Sequence, residues 1–366
     1  MCSGRVQRRR SRAEGRPVPL ARGDGSCILR AMAAPALLQP VLALHDRIRA
    51  AVLDACARRP VDELAEVAGD EAGDTTYAID RVAEDLVVEG LAEAARSEPI
   101  LLVAEGLAGG SVTVPRGTAP EDCRWRVIVD PIDGTRGLMY QKRSAWILTG
   151  VAPNHRSGTG LRDIVLAVQT EIPLLKQHLG DRLVAERGGG VRAERWNRLT
   201  GTVEPLTLEP SRASGIAHGY ATIARFFPGA RDVLAAIDDE LALALVGPFP
   251  PGRAPSFEDQ YTSTAGQLYG LMAGADRFIA DLRPLLEPVR AARGLPRGLC
   301  CHPYDICTAL IAQELGVVVT GVGGAPLDAP LDVDADVAWV GYANPRLRAA
   351  IEPVLQAILR AHGLLE

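Results

Sequence analysis

Lysine is almost missing from this chain: of 40 basic residues, only Lys142 and Lys176 are not arginine. Aromatics are sparse at 4%. No uncharged apolar run reaches the roughly 18 residues that a membrane span requires. Nor is there a CxxC pair among the cysteines at 2, 27, 56, 123, 300, 301 and 307. An odd, scattered set reads as reduced thiols in a cytoplasm, and the adjacent Cys300 and Cys301 lack the further partners zinc needs. They read as small buried hydrophobes.

What is present is ordinary for a globular protein: 366 residues, 47% hydrophobic and 23% charged. That excludes collagen-like, coiled-coil and wholly disordered classes and leaves chain enough for two domains or two halves of one fold. A net charge of −5 argues against a dedicated nucleic-acid binder. The charge is unevenly spread. Residues 1–31 hold eight arginines against Glu14 and Asp24, a net of +6, so residues 32–366 carry −5 − 6 = −11. The basic segment has no apolar stretch of the kind a secretory signal needs. It reads as an extension outside the fold, with Met32 as the expected natural start.

Apolar positions Leu37, Val41, Leu44, Ile48 and Val52 recur every three or four residues, which predicts an amphipathic helix from Leu37 to Cys56 with Arg47, Arg49 and Asp54 facing water. An acidic turn follows at Gly69–Asp74, then a helix over 77–95 burying Ile79, Val82, Leu86 and Leu91. Ile100–Ala104 and Arg126–Val129 read as buried strands, with a third at Trp146–Ala152. Strands around a Gly188-Gly189-Gly190 turn are expected next, then helices near 230–245 and 262–274. A helix over 304–315, a strand at 317–319 and a closing helix over 345–361 complete the pattern. This order of helices and strands indicates a layered α/β fold, with α+β character, rather than a bundle or barrel.

Two of the strands deliver an acid at their carboxyl ends, Glu105 and Asp130, where ligands gather in α/β sheets. The second continues Asp130-Pro131-Ile132-Asp133-Gly134-Thr135. The proline fixes the turn, and Gly134-Thr135 offers backbone N–H groups suited to phosphate. Two carboxylates about 4 Å apart repel by roughly 4 kcal/mol at an effective dielectric near 20. With lysine nearly absent, a divalent cation is the economical neutraliser. An all-oxygen donor set favours Mg²⁺ or Mn²⁺ over zinc.

The string VDPIDGT, after the acid-ended strand LLVAEG and ahead of a distal Tyr304-Asp305 helix start, resembles the inositol monophosphatase family, part of the Mg²⁺-dependent, lithium-sensitive sugar-phosphatase superfamily. The resemblance runs from about 41 to about 345. It implies the sugar-phosphatase fold of alternating helix and sheet layers, and a Mg²⁺-dependent phosphomonoesterase acting on a small phosphorylated metabolite: an inositol phosphate, a sugar phosphate or bisphosphate, or an adenosine bisphosphate. It further implies two or three metal ions, with Glu105, Asp130 and the Ile132 carbonyl on the first and Asp130, Asp133 and Asp305 on the second. Thr135 and Asp80 would orient and deprotonate the attacking water, and Asp133, Gly134 and Thr135 would meet the phosphate. A cytoplasmic homodimer without membrane or nucleic-acid partners is the expected setting. Residues 32–158 would form an N-terminal half with the metal site, and 159–366 a C-terminal half that completes it.

The sequence departs from the family pattern at Gly106, where a second acid is usual, and at Arg136-Gly137-Leu138. Gly298 stands where a ring-contacting acid is expected. Arg136, Glu258, Asp259 and Arg283 are candidates to shape a different pocket. Two rivals stay open. One is an inactive metal- or ligand-binding relative. The other is an aspartyl-nucleophile phosphatase of the haloacid-dehalogenase type, though its aspartates lie two apart, not three, and it needs a nearby lysine.

Overall fold

The computed structural model describes residues 35–71, 74–249 and 251–366. The segment 1–31, its Met32 boundary, positions 72–73 of the acidic turn and the side chain of Val82 lie outside the described residues.

The first helix, α1, spans Pro35–Arg58. Its stripe of Val41, Leu44, Ile48 and Val52 is fully buried, each side chain contributing about 1.5–3 kcal/mol of transfer free energy. Arg47 and Asp54 are exposed as expected, but Arg49 is not: its side chain is only 11% accessible. It turns toward the sheet, where Asp46 accepts its hydrogen bond at 2.6 Å and the Trp196 ring lies 4.2 Å beneath it.

A hairpin of β1 (Val67–Glu71) and β2 (Asp74–Tyr77) precedes α2 (Arg81–Leu91), which is shorter than periodicity suggested. An eight-stranded sheet then forms from β3 (Ile100–Ala104), β4 (Ser111–Val114), β5 (Trp125–Asp133), β6 (Ala145–Pro153), β7 (Leu166–Ile172), β8 (Leu179–Glu186), β9 (Gly190–Asn197) and β10 (Val203–Pro205). Its order is β10-β9-β8-β7-β6-β5-β3-β4. All neighbours are antiparallel except β3 and β5, which run parallel. A one-turn helix α3 (Thr135–Met139) sits between β5 and β6.

A smaller sheet, order β11-β12-β14-β13, comprises β11 (Tyr220–Ile223), β12 (Asp276–Asp281), β13 (Val318–Gly321) and β14 (Trp339–Tyr342). Its helices are α4 (Arg231–Val246), α5 (Thr264–Met272), α6 (Pro303–Ile306), α7 (Ala309–Glu314) and α8 (Pro345–Ala361). The expected helix over 304–315 is thus two pieces, parted at Cys307-Thr308, where the buried Thr308 hydroxyl donates to Gln169 Oε1 at 3.0 Å.

Strand alternation explains the layering. In β5 and β6, Val127, Val129, Ile147 and Val151 face the cluster under α1 and α2, while Ile128, Trp146, Leu148 and Ala152 face the opposite one. The second cluster holds α5, α6 and α7 between the two sheets, and α4 and α8 cover the far side of the smaller sheet. The result is the expected alternation of helix and sheet layers. No helix among the described residues is long and apolar enough to cross a membrane.

Candidate active site

The parallel pairing of β3 and β5 aligns Ala104 with Val129. Glu105 and Asp130 therefore leave their strands side by side and line one pocket. Three residues apart on a regular strand, Asp130 and Asp133 would point to opposite faces. A bulge prevents that: pairing with β6 jumps from Asp130↔Leu148 to Asp133↔Trp146. Pro131, with no N–H to give the ladder, sits inside the bulge, and the Ile132 N–H turns back to Asp130 Oδ1 at 2.9 Å.

Asp305 comes from the first turn of α6, where its carboxylate also accepts the His302 N–H at 2.6 Å. One carboxylate oxygen from each of Asp130, Asp133 and Asp305 lies within 4.8 Å of the others. Asp130 and Asp133 are 2% and 6% exposed. Burial, followed by repulsion from Asp133, Asp305 and Glu105, holds the Asp130 carboxyl well above its ordinary range, against the pull of the Ile132 N–H. Burial and then Asp305 push Asp133 up to about 8, although N–H and O–H donors from Ala265, Ser263 and Thr264 draw it back. Among the described residues neither Asp130 nor Asp133 has a cationic partner. Arg283 lines the same pocket but spends its guanidinium on Asp281 and the Leu299 carbonyl. Buried oxygens that repel one another and lack a counter-charge are the donor set a hard divalent ion fits.

Thr135 lies at the start of α3, behind Gly134, whose φ of +97° is left-handed. A Cβ at Gly134 would stand 3.0 Å from that of Ser263, so the turn needs glycine on two counts. The Thr135 hydroxyl lies 2.9 Å from Asp80 Oδ1 and 2.8 Å from the Ile132 carbonyl, and shares one proton between them. Asp80 occupies the N-cap position of α2 yet makes no capping bond. Its carboxylate instead accepts the Tyr77 N–H at 2.8 Å and faces Thr135. All the expected site residues thus converge: Glu105, Asp130, Ile132, Asp133, Gly134, Thr135 and Asp305 line the pocket, and Asp80 reaches it through Thr135.

Sequence reasoning missed the clamp on Asp133. The Ser263 hydroxyl and the Ala265 N–H both donate to Asp133 Oδ2, at 2.8 and 2.6 Å, while Ser263 Oγ caps α5 by accepting the Gly266 N–H. Ser263-Thr264 before an apolar run is an N-cap signal that could have exposed it. Phe226, Phe227, His302 and Tyr304 on the pocket wall were also missed, and only spatial neighbours reveal them. Of the candidate pocket-shapers, Glu258 pairs with Arg225 and Asp259 with Arg143, away from the acids. Arg136 does line the pocket, between the Tyr77 and Phe227 rings. Gly106 has a left-handed φ of +81°, so this turn suits glycine better than a second acid.

Residues 38–172 match the family model described as the inositol monophosphatase family. The resemblance read from DPIDGT is thereby borne out over that segment. Among solved structures, the chain is similar to the extragenic suppressor protein SuhB of Bartonella henselae (17% identity, 88% of this chain and 98% of that one, TM-score 0.60). It is also similar to the fructose-1,6-bisphosphatase of Leishmania major (12%, 89% and 94%, TM-score 0.63) and to an IMPase of Thermotoga maritima (15%, 88% and 99%, TM-score 0.56). At these identities the likeness establishes the fold. No curated protein sequence matches the chain.

Proposed function

We propose that the protein is a divalent-cation-dependent phosphatase that removes a phosphoryl group from a small phosphorylated metabolite. The observation that carries this reading is the buried triad Asp130, Asp133 and Asp305 beside the Thr135–Asp80 pair. The family match over 38–172 supports the same chemistry.

Asp130, Asp133, Asp305 and Glu105, with the Ile132 carbonyl, would hold Mg²⁺ or Mn²⁺, two or three ions in all. When bound, such ions lower the pKa of water and neutralise phosphoryl oxygens. The protein's own part is orientation and proton handling. Thr135 Oγ1 accepts a hydrogen bond from the attacking water while donating its own proton to Asp80 Oδ1, so that Asp80 is the final base. The Tyr77 N–H on the second Asp80 oxygen fixes the carboxylate's angle. The Gly134-Thr135 backbone offers N–H groups to the phosphate, and the clamp from Ser263 and Ala265 keeps Asp133 aimed inward. The aspartyl-nucleophile alternative finds little support, since no lysine lines this pocket and Asp130 is engaged with its own turn.

The described cysteines are unpaired and buried, which suits a reducing cytoplasm. A homodimer is the assembly we infer from the resemblance. Phosphate release from a panel of sugar, inositol and nucleotide phosphates tests the reading. Activity should need Mg²⁺, vanish with chelator, return on Mg²⁺ addition and fall with Li⁺. Tight metal binding without turnover on any substrate would instead favour an inactive binding relative.

A further inference from the structure

One buried amide behind the acid pocket touches both of the elements that bring carboxylates into it. Asp130, Leu148 and Gln169 stand opposite one another on β5, β6 and β7. Side chains in such a row share a face, so Gln169 leaves the sheet on the same side as Asp130. Its Nε2 donates to the Ala265 carbonyl at 3.1 Å, and its Oε1 accepts the Thr308 hydroxyl at 3.0 Å. Ala265 is the residue whose N–H holds Asp133 Oδ2. Thr308 follows α6, the helix that carries Asp305, at the break before α7. A single neutral side chain thus ties the clamp on Asp133 to the carrier of Asp305.

Thr308 gives up a local role to make this tie. It occupies the N-cap of α7, where a threonine hydroxyl ordinarily accepts an N–H from the first turn, yet it makes no capping bond. The hydroxyl crosses instead to β7, 139 positions back along the chain. Gln169 and Thr308 are both fully buried, so water does not compete for the bond. The absence of charge on the tie matters as well. Asp130, Asp133 and Asp305 crowd within 4.8 Å of one another, and with no ion bound their repulsion drives α6 away from β5. A carboxylate at position 169 would add to that repulsion, and a cation would neutralise the acids in place of an ion. An amide holds the spacing and leaves the charge as it is.

We propose that Gln169, through its bond to Thr308, is a positioning residue that holds the ion site to size. It meets neither ion nor substrate; it fixes the spacing of Asp133 and Asp305 to which a divalent ion must conform. This rests on the ion-dependent phosphatase reading above and adds the element that tunes ion affinity and ion choice. Mg²⁺ demands a near-ideal octahedron with short bonds, whereas Ca²⁺ accepts longer and more varied ones. A site that loses its spacer therefore loses Mg²⁺ before Ca²⁺.

Calorimetric titration of the chelator-stripped full chain with Mg²⁺ and with Ca²⁺ tests this, at a temperature where melting curves show each variant folded. Thr308→Val keeps the side chain's shape and removes its hydroxyl. It should weaken Mg²⁺ binding about tenfold and Ca²⁺ binding by no more than about twofold. Thr308→Ser, which keeps the hydroxyl, should bind Mg²⁺ within about twofold of the wild type. Gln169→Met cuts both bonds and should weaken Mg²⁺ at least as much as Thr308→Val, and combining the two should weaken it no further. In turnover, the Mg²⁺ concentration for half-activation should rise by the same factor, while kcat at saturating Mg²⁺ stays within about threefold. Unchanged Mg²⁺ affinity in Thr308→Val, or equal losses for both ions, overturns the proposal. Should either Thr308→Val or Gln169→Met fail to fold, the other decides. If the wild type binds no ion, the ion-dependent reading itself fails and this proposal with it; if it binds ions but hydrolyses no phosphate ester, only the phosphatase reading fails and the titrations still decide.

Discussion

Two charged clusters lie on either side of the large sheet, one with half-exposed carboxylates and one with buried ones, and they meet the same electrostatic problem in opposite ways. Under α1, Asp46 accepts from both Arg49 and Arg182, Arg182 also reaches Glu194 at 3.5 Å, and His45 bridges the Thr170 and Thr149 hydroxyls at 2.9 and 2.8 Å. Burial, then Arg182 and Arg49, hold the His45 imidazole well below its ordinary pKa, so it stays neutral. Two guanidinium groups meet two carboxylates, and nothing further is required. Across the sheet, Asp130, Asp133 and Asp305 crowd together without any such balance. The first cluster is a finished piece of architecture. The second has no such balance at Asp130 and Asp133, and on the function proposed above a divalent cation would supply it.

Asp133→Asn offers the sharpest break in this contrast. Both of its donors, from Ser263 and Ala265, converge on the one oxygen Oδ2, so the amide oxygen of asparagine can keep both bonds while the charge disappears. Activity should drop by about 10³-fold or more, because ion-borne stabilisation of several kcal/mol is lost. In chelator, however, the variant should melt above the wild type. A variant that is both inactive and less stable without metal would mean the acids are not mutually repelling.

Removing a charge from the balanced cluster should do the reverse. Arg182→Ala leaves the half-exposed Asp46 with Arg49 alone and Glu194 to water, and should cost about 1 kcal/mol in urea unfolding. Its kcat should stay near wild type. A strong loss of activity without loss of stability would show that the two clusters are coupled.

The smallest effect is in pH. Asp133 titrates near 8 in the ion-free fold, against about 4 for an unfolded aspartate. The folded chain therefore keeps a proton that the unfolded chain has released. The associated stability is complete below about pH 4 and is lost as pH rises through 8. A divalent ion takes the place of that proton, so the rise in Tm on adding Mg²⁺ should grow by a few degrees from pH 6 to 8.5. A constant or shrinking rise would contradict the picture.

Much of this was legible in the sequence because the relevant signals are local. The strand ends at Glu105 and Asp130, the DPIDGT turn and the helices near 37–56, 230–245 and 345–361 follow from periodicity and turn chemistry. What was hidden depends on the third dimension. The bulge that brings Asp133 round to Asp130 needs β6 as a template. The clamp from Ser263 and Ala265 crosses 130 and 132 positions of chain. Arg49 looks solvent-facing by helical phase until Trp196 and Asp46 are seen to cover it. Arg283 stands out in the sequence as a candidate to shape the pocket, and it does line it, but its pairing with Asp281 shows only in space. Charge type was readable; charge partnership was not.

That same clamp makes two distant stretches of the chain interdependent in a way that matters for recombination. The acid turn comes from one stretch and its keeper, Ser263-Thr264-Ala265, from another far downstream. A chimera that grafts the later half of a relative onto residues up to β6 would exchange the pocket wall at Phe226, Phe227 and Tyr304. It would inherit a working ion site only if the incoming segment brought the hydroxyl and the free amide with it. Whatever else such a trade changes, the Asp133 keeper has to travel with it.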